Sequence, residues 1–495
     1  MTQSGASGAP APKKGSPIGG PEELLKVLNS PGLRERILFT LAMIAIYRIG
    51  VHIPLPGVDP AAMSKHAELA QNLLGMIDLF TGGALGKLSI FSMGIGPYIT
   101  ASIIMQLMGV VVPKLEELQK HSGEQGRRQL QQYTRYATVV LAGFQSFMLS
   151  KLLLQIQGPP VVTVPPEMAP LFLFTATVIL TASALFIMWL GETITERGVG
   201  NGASLLIFLG IASRLPVIIK NTYEAIHAGT TSAFGVAVLV GVFLLLTALV
   251  VCLQQGVRKI MVLGARRNVG AKVMSVPDDY LYLPVNPSGV MSIIFASSLL
   301  MFPSTVMSFA GRQGGDPMAG LHQWLSGLPG VGPQWASFSA QPQVQKVGDF
   351  LMTEFARLFS YQAWEHSLLY FALIMFFAFF YASIVLPIKD MAENLRRSGR
   401  SIQNVKPGRP TVEFLEVTLN RLIFIGATAI GIVAIMPIHV EQATGVQTLQ
   451  GLGSTSLIIL VGVAIDTQRQ IMTHAMAAKT HARGLFRDKA TKENK

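Results

Sequence analysis

The stretch IFSMGIGPYITASIIMQLMGVVVP, residues 90–113, decides the fold class. It is apolar enough to cross a membrane, yet it opens with two glycines and a proline and carries Ser102 and Gln106 in its middle. A polar side chain in a membrane helix needs a partner in the protein or water beside it. The stretch therefore predicts a membrane-spanning helix with at least one face turned away from lipid.

The polar positions of this helix fall on one side of it. At about 100° per residue, one narrow stripe holds Ile95, Ile99, Ser102 and Gln106. The opposite face is wholly apolar and holds Ala101, Ile104 and Met108. Hydrogen bonds from Ser102 and Gln106 to a neighbouring helix would account for the stripe, and so would a helix that lines a cavity.

The residues just before this helix favour the cavity. The segment DLFTGGALGKLSIF, residues 78–91, is too short to span a membrane and too apolar for an ordinary exposed loop. It is also interrupted by glycines and by Lys87. Broken helices at membrane depth are tolerated only where they are buried in protein or face water. We therefore expect a short half-helix folded into a cavity.

The composition of the whole chain agrees with a polytopic membrane protein. Half of the 495 residues are hydrophobic and only 13% are charged, whereas a soluble domain carries about 25% charged residues. The apolar segments of the sequence predict ten membrane spans. The fifth, near residues 203–219, contains Arg214 and Pro216, so we expect it to be short and shielded by other helices. The ten spans lie near residues 37–55, 94–112, 136–154, 170–190, 203–219, 232–253, 289–309, 367–387, 420–437 and 453–468.

The distribution of positive charge predicts the orientation of the chain. Lys and Arg cluster in both tails and in the loops after spans 2, 6 and 8, whereas the loop after span 9 has neither. Cytoplasmic loops carry the excess of Lys and Arg, so we expect both termini and the even-numbered loops in the cytosol. The net charge of +12 then needs no nucleic acid to explain it, and no nucleic-acid-binding motif is present in the sequence.

Two other function classes have weaker support. A solute transporter usually carries ionisable groups near the membrane midplane, but Arg48, Glu192 and Asp466 lie towards the ends of their predicted spans. An intramembrane hydrolase is suggested only by GNGAS, residues 200–204, since the sequence has no nucleophile elbow, zinc-ligand pair or Walker A motif. Cys252 is the only cysteine, which excludes a disulfide framework. We expect no catalytic residue, no metal and no other cofactor.

Six stretches of the chain resemble those of one family. They are FTGGALGKLSIFSMGIGPYITASIIMQL (80–107), GRRQLQQYTRYATVVLAGFQS (126–146), WLGETITERGVGNGASLLIFLGI (189–211), IIFASSLLMFP (293–303), RRSGRSIQNVKPGRPT (396–411) and GSTSLIILVGVAID (453–466). In this order they are similar to signature segments of the SecY family, the central subunit of the bacterial Sec protein-translocating channel. The resemblance covers roughly residues 24–470.

The resemblance implies an all-α polytopic membrane protein with ten transmembrane helices. Its two pseudo-symmetric halves, residues 36–221 with spans 1–5 and residues 222–470 with spans 6–10, would surround an hourglass pore. Such an inverted repeat is also found in transporters. The remaining parts would be the cytoplasmic tails 1–35 and 471–495, the cytoplasmic loops 254–285 and 388–418, and the outer loop 310–365.

The resemblance also implies a narrow waist and a plug. The waist would be a ring formed by Ile95, Ile99, Ile207, Ile294 and Ile459, with Ala203 at a sixth position that the family usually fills with a bulky aliphatic residue. A narrow apolar constriction dewets and so blocks ions without a lid. The plug would seal the outer funnel and would run through Asp78, Leu79, Phe80, Thr81, Gly82, Gly83, Ala84, Leu85, Gly86 and Lys87 towards Phe91.

By the same resemblance, spans 2 and 7 border a lateral gate through which signal sequences and membrane helices reach the lipid. Its weakly polar seam would consist of Thr100, Ser102, Gln106, Ser297 and Ser298. Interhelical hydrogen bonds in membranes contribute only about 0.6 kcal/mol each, so such a seam can hold at rest and still part.

The basic loops after spans 6 and 8 would dock the ATPase motor SecA and the ribosome. The candidate residues are Arg258, Lys259, Arg266, Arg267, Lys406 and Arg409. Lys406 stands where the family has an arginine, and a lysine keeps the charge but not the planar fork. The resemblance further implies SecE and SecG as membrane partners, nascent polypeptides with signal sequences as cargo, contact with membrane lipids, and a place in the bacterial plasma membrane.

Overall fold

The computed structural model is built mainly from α-helices. It describes residues 31–60, 78, 81–120, 123–156, 161–264, 266–269, 272–275, 279–310, 358, 363–444 and 454–493. The helices are α1 (Pro31–Gly50), α2 (Gly96–Val111), α3 (Pro113–Lys120), α4 (Gly123–Gln155), α5 (Ala169–Arg197), α6 (Gly202–His227), α7 (Ala233–Gln255), α8 (Met291–Ala310), α9 (Trp364–Val385), α10 (Ile388–Arg397), α11 (Arg409–Thr444) and α12 (Ser454–Glu493). A 3₁₀ turn, Pro166–Met168, precedes α5.

Every predicted span falls on one of these helices. Spans 1 and 2 correspond to α1 and α2, spans 3 to 7 to α4 to α8, span 8 to α9, and spans 9 and 10 to α11 and α12. Among the described residues, the six helices α4, α5, α6, α7, α9 and α11 are long and apolar enough to cross a membrane, and α2 and the first part of α8 are shorter apolar helices. The prediction of a polytopic helical membrane protein is confirmed.

The first half is built around α5. This helix packs against α1, α4 and α6, and α4 also packs against α2. The crossing of α5 and α6 is close, because a Cβ on Gly202 would overlap the carbonyl oxygen of Gly191. The loop before α6 caps it: the Asn201 side chain accepts a hydrogen bond from the Ser204 backbone N–H at 3.2 Å. The GNGAS stretch is therefore a helix start at a tight crossing.

The second half repeats the packing of the first. The contacts of α4 with α2 and α5 recur as contacts of α9 with α8 and α11, and α12 packs against α7, α8 and α11. The two halves meet where α8 contacts α2 and α4, and where α12 contacts α1 and α6. The predicted boundary between residues 221 and 222 lies inside α6, which continues to His227.

Two small sheets occupy the connections that follow α7 and α9. Strands β1 (Val257–Leu263), β2 (Arg266–Val269), β3 (Lys272–Ser275) and β4 (Asp279–Pro284) follow α7, and β5 (Ser401–Ile402) follows α10. The sheet order is β4–β1–β5, all antiparallel, while β2 pairs with β3. The basic loop after α7 and the basic loop after α9 are thus joined in one sheet through β1 and β5.

Some expectations need correction or lie outside the described residues. The expectation that span 5 is short was wrong: α6 runs for 26 residues with Pro216 inside it, because neighbouring helices make a proline tolerable in a membrane helix. The C-terminal tail continues α12 as far as Glu493. The N-terminal 30 residues, Leu79, Phe80 and nearly all of the outer loop 310–365 lie outside the described residues.

Candidate functional site

Helices from both halves meet at one buried apolar cluster. The five isoleucines of the predicted ring belong to it, and each is at most 7% exposed. They are Ile95 and Ile99 at the start of α2, Ile207 on α6, Ile294 on α8 and Ile459 on α12. Ala203, half-buried on α6, packs against the same cluster. The structure therefore brings all six ring positions together, and their role as a pore waist stays a prediction.

The two faces of α2 differ as the sequence pattern predicts, with one exception. Ile99 is buried, whereas Ile104 and Met108 on the opposite face are 39% and 40% exposed. Ala101, which was expected on the same apolar outer face, is completely buried. The reason is that α2 contacts α4, α5 and α8, so that neighbours cover more than one side of this helix.

The predicted lateral gate corresponds to the contact between α2 and α8. Ser102 and Gln106 are half-buried, and Gln106 Nε2 donates to Ser102 Oγ at 3.1 Å. Thr100 Oγ1 donates to the Gly96 carbonyl at 3.2 Å, and Ser297 Oγ donates to the Ile294 carbonyl at 3.0 Å. Each of these bonds stays within its own helix instead of crossing the interface. Ser298 is half-buried one residue further along α8.

The predicted plug, residues 78–91, is a folded segment with little helix. Asp78 and Thr81 are helical, and the chain from residue 82 to residue 95 forms turns. Gly82 and Gly83 have φ values of 70° and 88°, in the left-handed region that glycine adopts without a steric penalty. The expected half-helix is therefore confined to the beginning of the segment, because these two glycines end it.

The plug lies against the apolar ring cluster. Ala84 and Phe91 belong to the same buried cluster as the five isoleucines, while Leu85 and Leu88 belong to a second cluster built from α4, α5 and the residues between them. The Phe91 ring stacks on Tyr47 of α1 with centroids 5.9 Å apart. The segment thus lies between the isoleucine cluster and the second cluster of the first half.

Polar groups fix the plug at both of its ends. The Asp78 carboxylate forms an ion pair with Arg214 of α6, with Oδ2 and Nη1 2.6 Å apart. At the other end, the backbone N–H of Leu55 donates to the Leu88 carbonyl at 2.8 Å, and Lys87 Nζ lies 3.0 Å from His52 Nε2. Sequence reasoning missed the ion pair, although an arginine inside an apolar span is a signal that a partner must exist.

A second buried carboxylate lies between α4 and α5. Glu192 is 7% exposed, and its Oε2 lies 2.8 Å from Arg135 Nη2. Gln131 Nε2 donates to Glu192 Oε1 at 3.0 Å. This carboxylate is fully paired within the first half. Among the described residues, no group of three or more His, Cys, Asp or Glu is placed to hold a metal ion.

The predicted docking residues lie on the two joined loops. Arg258 and Lys259 are exposed on β1, and Lys406 and Arg409 are exposed before and at the start of α11. Lys259 pairs across the strands with Tyr282, and its Nζ lies 5.8 Å from the centre of that ring. Arg266 and Arg267 lie on β2, and the structure describes their backbone only.

Together, the fold and this site define a class of protein. It is a polytopic helical membrane protein whose two halves meet at a buried apolar cluster, with a folded segment packed against that cluster. The family model described as SecY matches residues 89–468. The chain therefore belongs to the SecY family, as the sequence motifs predict.

Similar proteins agree with this assignment. The protein translocase subunit SecY of Synechocystis sp. is 40% identical over 459 residues, which cover 92% of this chain and 96% of the relative. The protein of the same name from Streptomyces scabiei is 37% identical over 454 residues, which cover 90% of this chain and 95% of the relative. Both alignments extend over nearly the full length of the relatives.

Solved structures share the fold. A structure described as that of a protein conducting channel has a TM-score of 0.59 at 15% identity and covers 90% of this chain and 93% of its own. Sec61 in the canine ribosome-channel complex from the endoplasmic reticulum has a TM-score of 0.53 at 14% identity, with coverage of 90% and 93%. At this level of identity the likeness supports the architecture alone.

Proposed function

We propose that this chain is the pore-forming subunit of a protein translocase. It passes unfolded secretory polypeptides across a membrane and releases the helices of membrane proteins sideways into lipid. The observation that carries the proposal is the buried cluster in which isoleucines of α2, α6, α8 and α12 meet between the halves. The names of the relatives support it, since they are protein translocase subunits.

The chemistry of the constriction suits an unfolded chain as cargo. Isoleucine side chains are stiff and offer no hydrogen-bonding group, so they close around a chain without forming a binding site for it. A narrow apolar passage also dewets and blocks ions when no chain is present. Ala203 is smaller than its neighbours and leaves one side of the ring less filled.

The plug and the gate give the channel two exits. The plug is the seal of the outer funnel, and its displacement opens the path across the membrane. The contact between α2 and α8 is the lateral gate, and its parting opens the path into lipid. Both elements border the isoleucine cluster, because Ala84 of the plug, Ile99 of α2 and Ile294 of α8 all belong to it.

The basic sheet is the docking surface for the proteins that drive transport. Lys259, Lys406 and Arg409 are exposed on loops joined through β1 and β5. Clustered Lys and Arg suit polyanionic ribosomal RNA, and the similar Sec61 channel is described in a complex with a ribosome. We propose the ribosome and the SecA motor as partners here, with this sheet and both termini in the cytosol of a bacterial cell.

Further partners lie within the plasma membrane. We propose SecE and SecG, as the family assignment suggests. Exposed apolar side chains on α1 and α7, such as Leu41 at 55% and Leu244 at 67%, offer surface to lipid or to such subunits. The chain itself is proposed to have no catalytic activity.

A crosslinking experiment tests the channel. A photoreactive amino acid replaces Ile95 or Ile294 in the constriction, or Ile104 on the exposed face of α2, and a stalled secretory precursor is then supplied. Crosslinks to the precursor are expected from the first two positions and not from the third. Equal crosslinking from all three positions, or none from the constriction, would contradict a polypeptide path between the halves.

A further inference from the structure

One carboxylate joins the plug to α6. Asp78 is 7% exposed, and its Oδ2 accepts a hydrogen bond from Arg214 Nη1 at 2.6 Å. Its Oδ1 accepts another from the backbone N–H of Gly86 at 2.8 Å. The same side chain therefore closes the chain between residues 78 and 86 and fastens that closed unit to a helix.

The plug backbone also lies directly on this part of α6. Ser213, which precedes Arg214, donates to the Gly210 carbonyl at 2.8 Å, and its Oγ lies 3.5 Å from the Gly82 carbonyl oxygen. A Cβ on Gly82 would lie 2.9 Å from the Cα of Gly210, so a larger residue could not approach as closely. One short stretch of α6 thus supports the first part of the plug.

The last part of the plug is held by a different kind of contact. The Leu55 N–H donates to the Leu88 carbonyl at 2.8 Å, and the Ile90 N–H donates to the Ile53 carbonyl at 3.0 Å. These backbone bonds pair residues 88–90 with the segment that follows α1, and they do not depend on charge. The two ends of the plug can therefore respond differently to a change in their surroundings.

The ion pair is sensitive to water. Arg214 is the first charged residue of α6, and the side chains of Arg214 and Asp78 are 26% and 10% exposed. Neither charge can be left unpaired in apolar surroundings at low cost. The attraction between them weakens as the dielectric constant around them rises. Water that enters the outer funnel would therefore loosen this pair and leave the backbone pairing of residues 88–90 intact.

We propose that the Asp78–Arg214 ion pair is a latch that holds the plug shut, and that its release lets Asp78 and residues 81–86 move away from α6 while residues 88–90 stay paired with the segment after α1. The proposal rests on the proposed channel function. Ala203 and Ile207 of the ring lie on the same helix as Arg214. A polypeptide that displaces α6 at the constriction therefore also moves one half of the latch.

Cysteine labelling tests both parts of the proposal. In a chain carrying Cys252→Ser, a single cysteine is introduced as Ala84→Cys or as Ser89→Cys, at two positions that are completely buried. Each is combined with Asp78→Asn or Arg214→Gln and reconstituted in nanodiscs. Asp78→Asn keeps a side-chain oxygen that can accept the hydrogen bond from the Gly86 backbone N–H, but it removes the negative charge. The rate of reaction with a membrane-impermeant maleimide is then measured.

The latch predicts different results at the two positions. Labelling of Ala84→Cys should rise about tenfold in both neutralised backgrounds, since removing one charge of this partly buried pair leaves the other unpaired and so shifts the equilibrium towards the open plug. Labelling of Ser89→Cys should stay at the parent rate. As a matched control, Lys220→Gln removes the exposed pair with Glu224 on the same helix, 3.7 Å apart, and should change neither rate.

Two outcomes would overturn the proposal. Unchanged labelling at Ala84→Cys in both neutralised backgrounds would show that the ion pair does not hold the plug. An equal rise at Ser89→Cys would show that the plug leaves as a whole. Arg214→Lys, which keeps the charge, should restore part of the protection, and this separates loss of the latch from misfolding. The crosslink from Ile95 to a stalled precursor in the parent chain reports on the channel function independently.

Discussion

Gly202 shows how one residue can set the spacing of two helices. It lies at the start of α6 next to Gly191 of α5, and the space that a side chain would need is occupied by the Gly191 carbonyl. The backbone N–H of Gly202 also donates to Thr195 Oγ1 at 2.8 Å. The position of α6, and with it the ring positions Ala203 and Ile207, therefore depends on the absence of a side chain here.

The substitution Gly202→Ala should destabilise the protein. The added methyl group forces α5 and α6 apart, and overpacking of this kind costs about 1–3 kcal/mol. Thermal unfolding in detergent measures the effect. Gly241→Ala is the matched control, because a Cβ there meets nothing within 4 Å and alanine is favoured over glycine within a helix. Equal stability of the two variants would contradict the close-crossing argument.

The ring isoleucines should keep the resting channel tight to ions. Replacing Ile95 and Ile99 together with glycine widens the apolar constriction and wets it, so resting conductance in planar bilayers should appear. Ile104→Gly removes the same side chain from the exposed face of α2 and should cause no leak. A tight double variant beside a leaking Ile104→Gly would show that the polar stripe of α2 was assigned to the wrong side.

At the scale of residues, the sequence predicts contacts within one helix better than contacts between distant segments. The helical period places Ile99 and Ile104 on opposite faces, and their burial agrees with it. The same period cannot show that Asp78 and Arg214 meet, because 136 positions separate them in the chain. Burying one charge alone costs more free energy than burying an ion pair. This general rule indicates that Arg214 has an acidic partner, but it does not say which residue that is.

At the scale of elements, strand β1 joins two parts of the chain. It pairs with β4 through six residues and with β5 through Val262 and Ile402. Ile402 is 2% exposed and packs in a cluster with Ile260 and Leu415. The strand that carries Arg258 and Lys259 is therefore fixed relative to the loop before α11, so that a motor or ribosome docked as proposed would meet one surface.

Reversing the charge of this surface should impair motor-driven transport. The double substitution Lys406→Glu and Arg409→Glu is expected to reduce ATP-driven export into reconstituted vesicles sharply. Stability should change little, since both side chains are exposed and surface substitutions usually cost less than about 0.5 kcal/mol. Lys220→Glu, which the proposed orientation places on the other side of the membrane, is the control for charge alone. Normal export by the double variant would show that the motor does not bind this loop.

The elements that the sequence missed are those without a strong period. The strands β1 to β5 lie in loops whose Lys and Arg content predicted the orientation of the chain, and their alternation of apolar and polar residues is short. The plug was expected to be a half-helix because it is apolar, but paired left-handed glycines turn its backbone. Conversely, Pro216 did not end α6. Packing thus overrode the helix-breaking tendency of Pro216, whereas the helix-breaking effect of the plug glycines was given too little weight.

At the scale of the whole molecule, the halves touch along two lines. One line consists of α8 against α2 and α4, and the other of α12 against α1 and α6. Opening one line while the other stays closed is the motion of a clam shell, and the proposed lateral gate lies on the first line. The family resemblance supplied this division, whereas the order of apolar segments alone would have allowed many arrangements of ten helices.

Linking the gate helices should block lateral release. In a Cys252→Ser chain, Ser102→Cys and Ser298→Cys joined by a short cleavable crosslinker tie α2 to α8. Insertion of a membrane-protein substrate should stop and should recover when the linker is cut. Joining α12 to α1 at Thr467→Cys and Thr40→Cys should leave insertion less affected. Undiminished insertion through the linked gate would place the lateral exit elsewhere.

The hydrogen bonds of Thr100, Gln106 and Ser297 are closed within their own helices. Parting α2 from α8 therefore breaks none of these polar bonds. Its free energy depends instead on how well lipid chains or an entering apolar helix replace the apolar contacts between α2 and α8. Helix association in membranes depends on van der Waals packing and on the freedom of the lipid chains. Acyl-chain order and bilayer thickness, rather than salt or pH, should then set how readily the contact between α2 and α8 opens for an apolar segment. The lipid composition should therefore change how hydrophobic a segment must be to insert.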